Sequence, residues 1–148
     1  MTTVIDLADR KVIGWSFSND MSAESASVAA LKMAIKTRGT RNGLIFHSDR
    51  GIQYACNDFK ALLSENRILQ SMSRKADCWD NAVAESFFKT LKSELVHHRK
   101  YANRESAKLE IFSYIEGFYN TKRKHSSLGY RTPSEMEKLL TENKCLAA

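Results

Sequence analysis

The chain has 148 residues, 43% of them apolar, and carries a net charge of +6 from 23 Lys and Arg against 17 Asp and Glu. That is enough apolar side chain for one ordinary globular core, and the positive excess favours polyanionic partners such as nucleic acid without establishing one. No apolar run approaches the ~20 residues of a membrane span and Met1-Thr2-Thr3 opens no signal peptide, so a soluble, cytoplasmic protein with no membrane association is expected. Cys56, Cys78 and Cys145 are odd in number and lack CxxC spacing, which excludes a disulfide frame or zinc site and predicts reduced thiols.

Val4, Ile5 and Leu7, then Val12, Ile13, Trp15 and Phe17, form two β-rich runs around Asp9-Arg10-Lys11 and predict a hairpin. Ser22 can cap a helix whose stripe Val28, Leu31, Ala34, Ile35 keeps the helical period and which Gly39 ends. A short strand over Leu44 to His47, a helix marked by Phe59, Leu62 and Leu63, and a strand over Ile68 to Met72 follow, an order that implies a mixed α/β sheet. Beyond it the pattern turns helical. Asp77 or Asp80 can cap a helix with the stripe Ala84, Phe88, Leu91, Leu95, and Asn103 a second with Ala107, Ile111, Tyr114, Ile115, Phe118. Thr132-Pro133-Ser134-Glu135 is a capping box with proline at the first helical position and predicts a last short helix.

Asp49 follows the apolar strand Leu44-Ile45-Phe46 directly, at the carboxyl end where open α/β sheets place their ligand sites. A second carboxylate, Glu85, lies on the first helix of the helical half, and two such groups can hold a divalent metal against a phosphodiester. Two other Asp-to-Glu pairs share the spacing, Asp58 to Glu94 and Asp80 to Glu116. Asp58 opens a helix and Asp80 serves better as a cap, so context singles out the first pair. Lys89 and Lys92 follow Glu85 at i+4 and i+7 on one helical face, where they can meet phosphates; the alternative is an ordinary Glu85–Lys89 surface pair worth ~0.3–0.5 kcal/mol.

Four ordered stretches carry a resemblance: Val4 to Trp15, His47-Ser48-Asp49-Arg50-Gly51-Ile52-Gln53-Tyr54, Asp80-Asn81-Ala82-Val83-Ala84-Glu85-Ser86-Phe87-Phe88, and Tyr119-Asn120-Thr121-Lys122-Arg123-Lys124-His125-Ser126-Ser127-Leu128-Gly129-Tyr130. Over nearly the whole chain the sequence resembles bacterial insertion-sequence transposases of the orfB type, whose DDE catalytic core is retroviral-integrase-like. The resemblance implies a ribonuclease-H-like mixed sheet flanked by helices, in a single integrase-core domain over 1–148 with a sheet-rich part over roughly 1–73 and a helical part over 77–140. It further implies a DDE-type polynucleotidyl transferase in which three carboxylates bind Mg2+ or Mn2+, Asp49 resembling the second carboxylate and Glu85 the third. Lys89 and Lys92 look like cations that grip the DNA end, with Arg50 and Arg74 as further candidates. Arg123 and His125 belong to the terminal motif, and structural and phosphate-contacting roles stay open for both.

In the family the first catalytic Asp lies on a strand before the segment that opens this chain. Asp6 matches a different, non-catalytic Asp, with a strand-end or turn role. The sequence therefore reads as lacking the first, central strand and the first of the three carboxylates, with weak metal binding and little activity alone expected. Without that strand its two neighbours expose backbone donors and acceptors, so either the first run pairs with the Leu44 strand or chains dimerise through open sheet edges. The implied partners are DNA, as transposon ends and target, and full-length transposase. The competing reading is a non-enzymatic remnant that binds DNA or transposase and acts as an inhibitor.

Overall fold

The computed structural model describes residues 1–18, 24–73 and 81–146, and side chains over 1–18, 26–73 and 81–143. The predicted caps Ser22, Asp77 and Asp80, with Arg74 and Cys78, lie outside the described residues, as does the Cys145 side chain. The chain divides into two compact units, Met1–Val4 with Ile13–Phe88, and Ile5–Val12 with Lys89–Ala148.

Strands β1 (Thr2–Ile5) and β2 (Val12–Ser16), of the first unit except for Ile5 and Val12, are hydrogen-bonded neighbours, and a connection this short makes them an antiparallel hairpin. Gly14 sits where β2 touches a helix: a Cβ there would stand 2.2 Å from the Ala30 carbonyl oxygen and 2.9 Å from the Ala34 Cβ. A π-helical turn (Glu24–Val28) leads into that helix, α1 (Ala29–Arg38), which Gly39 ends as predicted, with φ +72° and its N–H on the Ile35 carbonyl at 2.8 Å. Strand β3 (Ile45–Ser48) pairs in parallel with β4 (Leu69–Met72), in the register Ile45 to Leu69 through Ser48 to Met72. The crossover holds a short helical turn, α2 (Ile52–Ala55), and helix α3 (Asn57–Glu65). Val28, Leu31, Phe59, Leu63 and Ile68 are buried together, and Phe46, Tyr54 and Phe59 pack mutually at ring distances of 5.2–6.0 Å.

The mixed α/β class is therefore present, with one antiparallel and one parallel pair. Among the described residues these are two separate two-stranded sheets, and the first run does not pair with the Leu44 strand. The hairpin satisfies β1 with β2, and β3 closes with β4 through its own crossover, so Ile45 (61% exposed) and Leu69 (60%) stay open to solvent.

Helix α4 (Ala82–Glu94) buries Phe87 and Leu91. Leu91 is buried as expected, but Phe87 takes the core place assigned to Phe88, whose ring lies edge-on to it at 5.4 Å. In the second unit Asn103 caps α5 (Arg104–Tyr114) through a reciprocal box with Ser106. This helix widens into a π-helical turn (Ile115–Tyr119), with the Asn120 N–H on the Ile115 carbonyl at 3.0 Å. The extra residue per turn rotates Tyr119 inward and leaves Phe118, predicted for the core, 42% exposed. The Thr132–Glu135 box opens α6 (Pro133–Leu146) as predicted, with bonds of 2.8 and 3.2 Å. At 14 residues α6 is longer than the short helix expected, since Ser134 to Leu146 holds neither Gly nor Pro to stop it.

Candidate functional site

Asp49 is the first residue after β3, exposed at the carboxyl end of the parallel pair. Its Oδ1 accepts from the Gly51 N–H at 2.9 Å, an Asx turn that fixes the carboxylate against its own backbone. The strand end is held on the other side by β4. The buried Ser73 donates its N–H to the Ser48 carbonyl at 2.8 Å, and the His47 ring lies between the hydroxyls of Ser71 (3.0 Å) and Ser73 (3.2 Å). Arg50 donates Nε to the Ser73 carbonyl at 2.9 Å, so its stem is tied to β4 while the residue stays exposed. Burial and then the Asp49 charge push the Tyr54 hydroxyl pKa up.

Glu85 stands exposed in the first turn of α4, where the helix dipole favours a carboxylate, and Lys89 and Lys92 are exposed one and two turns on. No ion pair joins Glu85 to Lys89 among the described residues. Two solvent-facing carboxylates have the hard oxygen chemistry that suits Mg2+ or Mn2+. Among the described residues, however, no three His, Cys, Asp or Glu side chains group around a metal position. Asp6 is engaged in the β1–β2 turn, where its Oδ1 accepts from the Ala8 N–H at 2.9 Å and its carbonyl from the Arg10 N–H at 2.8 Å.

Arg123 and His125 lie in a polar knot of the second unit. The Arg123 guanidinium meets Glu94 with Nε at 2.9 and 3.1 Å and Nη2 at 2.9 Å, and the Tyr114 hydroxyl donates to the same carboxylate at 2.7 Å. Burial raises the Glu94 pKa, but the hydrogen bonds from Arg123 and Tyr114 and the Arg123 charge outweigh it and hold the carboxyl below its ordinary range. His125 packs edge-on to Tyr119 at 4.9 Å, and burial together with the Arg123 charge lowers its pKa. Asn120, 1% exposed, clamps β2: its Nδ2 donates to the Val12 carbonyl and its Oδ1 accepts from the Val12 N–H, both at 3.0 Å. Sequence reasoning missed Glu94, Tyr114 and Asn120 in this role. The one available signal was a polar Asn directly after the buried Tyr119, and it named no partner.

Residues 1–78 match a family model described as integrase core domain, and residues 66–133 match a second model of the same description. The chain belongs to the integrase core family. Asp49 falls within the first matched span of the integrase core, and Glu85, Lys89, Lys92, Arg123 and His125 within the second. The chain is 42% identical over 134 residues to the transposase for insertion sequence element IS904 of Lactococcus lactis subsp. lactis (strain IL1403), covering 90% of this chain and 53% of that protein. It is 43% identical over 137 residues to transposase InsF for insertion sequence IS3A of Escherichia coli (strain K12), covering 93% of this chain and 47% of that one. The chain thus spans about half the length of the curated relatives it matches. Integrase cores of this family generally use a divalent metal. No helix among the described residues is long and apolar enough to cross a membrane.

Proposed function

We propose that this integrase core is the catalytic part of an insertion-sequence transposase, a DDE-type polynucleotidyl transferase acting on transposon ends and target DNA. Residues 1–148 act as one domain in this reading, with the ribonuclease-H-like sheet part over 1–73 and the helical part over 77–140. The observation that carries it is Asp49, an exposed carboxylate braced by an Asx turn at the carboxyl end of a parallel strand pair. Asp49 and Glu85 would hold Mg2+ or Mn2+, and a bound metal supplies activation of water or a DNA 3′-hydroxyl and stabilisation of the leaving oxygen. Lys89 and Lys92, one helical face apart from the apolar side of α4, take backbone phosphates as point charges, and Arg50 and Arg74 add to that field. Arg123 and His125 act first through packing, since Glu94 and Tyr119 already engage them.

Cleavage adds water across a P–O3′ bond and frees a 3′-hydroxyl; strand transfer then directs that hydroxyl at a target phosphate and releases the target's own 3′-hydroxyl. Two carboxylates neutralise less metal charge than three, so weak metal affinity and low activity of the isolated chain belong to this reading. Full-length transposase, and a second copy meeting the open sheet edges, are its natural protein partners.

The test is Mn2+-dependent nicking and strand transfer on supercoiled DNA by the purified chain beside Asp49→Asn, Glu85→Gln and Asp6→Asn. Activity is expected to be lost in the first two and kept in the third. A folded wild type that binds DNA but nicks nothing would overturn the enzymatic reading and leave a binding role.

A further inference from the structure

The second unit carries an open cleft of about 420 Å3 away from Asp49 and Glu85 in sequence, lined by Lys124, Tyr130, Arg131 and Lys138 together with Glu135 and Glu142. Its volume lies in the range of single small-ligand sites. Three features make it more than a solvated surface.

The first is Tyr130, whose side chain lines the cleft although the residue is 71% exposed. Its backbone is left-handed at φ +60°, directly after Gly129 at φ +61°. A bulky non-glycine residue in that region is held against its local preference, so the surrounding loop must determine it.

The second is that loop. Leu128 is buried, the Gly129 N–H reaches the Ser126 carbonyl at 3.1 Å, and the Tyr130 N–H reaches the His125 carbonyl at 2.9 Å. His125 and Arg131 form a bridge, with the His125 N–H on the Arg131 carbonyl at 3.0 Å, and the buried Thr132 and Pro133 then start α6. The ring is therefore displayed on a fixed frame, which lowers the entropy lost when a ligand meets it.

The third is charge. No ion pair engages Lys124, Arg131 or Lys138 among the described residues. Glu135 is committed to the α6 cap, where its carboxylate accepts the Thr132 N–H at 2.8 Å. Glu135 acts on Lys124 and Arg131 only through its charge, without a close ion pair, and cations so placed around a displayed aromatic ring are the chemistry that takes an unpaired nucleotide: the phosphates meet the cations and the base stacks on the ring.

The geometry points to this cleft as a binding site for one unpaired nucleotide of a DNA strand, with the base stacked on Tyr130 and the flanking phosphates on Lys124, Arg131 and Lys138. The inference rests on the reading of the chain as a DNA-acting core and adds the form of DNA it prefers, a duplex with a single-stranded extension. Fluorescence anisotropy with the full chain tests it, comparing a blunt duplex with the same duplex bearing a three-nucleotide overhang. The wild type should bind the overhang duplex about tenfold tighter, and Tyr130→Ala should erase that preference while Tyr130→Phe keeps it. Tyr130→Gly separates folding from binding, since it should raise the melting temperature by relieving the left-handed backbone and still lose the preference. Equal binding of both duplexes by the wild type, or an overhang preference that survives Tyr130→Ala, would overturn the site. Loss of blunt-duplex binding in every protein, with Tyr130-dependent capture of a single-stranded oligonucleotide intact, would instead leave the cleft standing and remove the duplex reading.

Discussion

Asn120→Ala should be among the most destabilising single changes outside the apolar core, and its size can be worked from two hydrogen bonds. The Asn120 amide takes the place of a neighbouring strand for Val12, giving a donor to its carbonyl and an acceptor to its N–H at 3.0 Å each. Val12 is 2% exposed and Asn120 1%, so water does not readily replace the lost amide. Each buried backbone group left unsatisfied costs about 1–3 kcal/mol, and the two together about 2–6 kcal/mol. For a chain of this length that corresponds to a fall of roughly 5–15 °C in melting temperature, a large part of an ordinary domain's stability. The same residue also joins the π-helical turn to α6, since its own carbonyl accepts the Ser134 N–H at 2.9 Å, a bond the alanine variant keeps. Asn120→Asp is the sharper control: it preserves the acceptor for the Val12 N–H but sets a carboxylate oxygen against the Val12 carbonyl. It should cost at least as much as alanine. Urea denaturation followed by circular dichroism measures both variants, and a loss below about 1 kcal/mol for Asn120→Ala would show that the clamp does not secure β2.

The Glu94–Arg123 contact, spanning 29 positions with a shared Tyr114 hydroxyl, should give a coupling of about 1 kcal/mol in a double-mutant cycle of Glu94→Gln and Arg123→Met; additive effects would reduce it to a surface contact. His125 has its pKa lowered by burial and by Arg123, so the unfolded chain takes up a proton more readily than the folded one. Its contribution is complete above the ordinary histidine pKa of about 6.5 and is lost as the pH falls from there toward the folded value, so His125→Gln should flatten the decline in melting temperature between about pH 7.5 and 5.5. Lys89→Ala and Lys92→Ala should each weaken duplex DNA binding across all sequences and reduce the slope of log affinity against log salt by about 1; an unchanged slope would remove them from the interface. Ile45→Thr with Leu69→Thr replaces two exposed apolar side chains by strand-forming polar ones, and should leave urea stability nearly unchanged while lowering any self-association seen by light scattering.

What was legible in the sequence was local chemistry. The Asn103 cap, the Thr132–Glu135 box and the Gly39 stop rest on residues within four positions of one another, and each stands where the sequence placed it; that Ser106 answers Asn103 in a second box was not read from the sequence. Helical phase was less secure. One extra residue in the Ile115–Tyr119 turn exchanged Phe118 for Tyr119, and periodicity at 3.6 residues cannot register a turn that departs from that period. The sheet misled for a related reason. Leu44-Ile45-Phe46 is a continuous apolar run of the kind found in strands covered on both faces, whereas Phe46 alone meets rings, those of Tyr54 and Phe59, and Ile45 is 61% exposed.

The candidate site divides along the same line. Asp49 was singled out because a strand end and the polar turn Arg50-Gly51 are written in adjacent residues, and Glu85, Lys89 and Lys92 because they share one face of a helix. What braces Asp49 was not, because the His47 ring finds Ser71 and Ser73 only through the β3–β4 register, 24 and 26 positions away. Arg123 shows the consequence for assigning function. Its place in a basic terminal motif made a phosphate contact and a structural role equally acceptable, and only the long-range carboxylate of Glu94, with the Tyr114 hydroxyl on it, weighs the balance toward structure. A cation already hydrogen-bonded to both oxygens of a carboxylate must give up those bonds to hold a phosphate, whereas no close ion pair holds Lys124, Arg131 or Lys138 among the described residues. Under the proposed DNA-acting reading, phosphate contacts among the basic residues of the second unit fall to the cations around Tyr130 before the motif arginine itself.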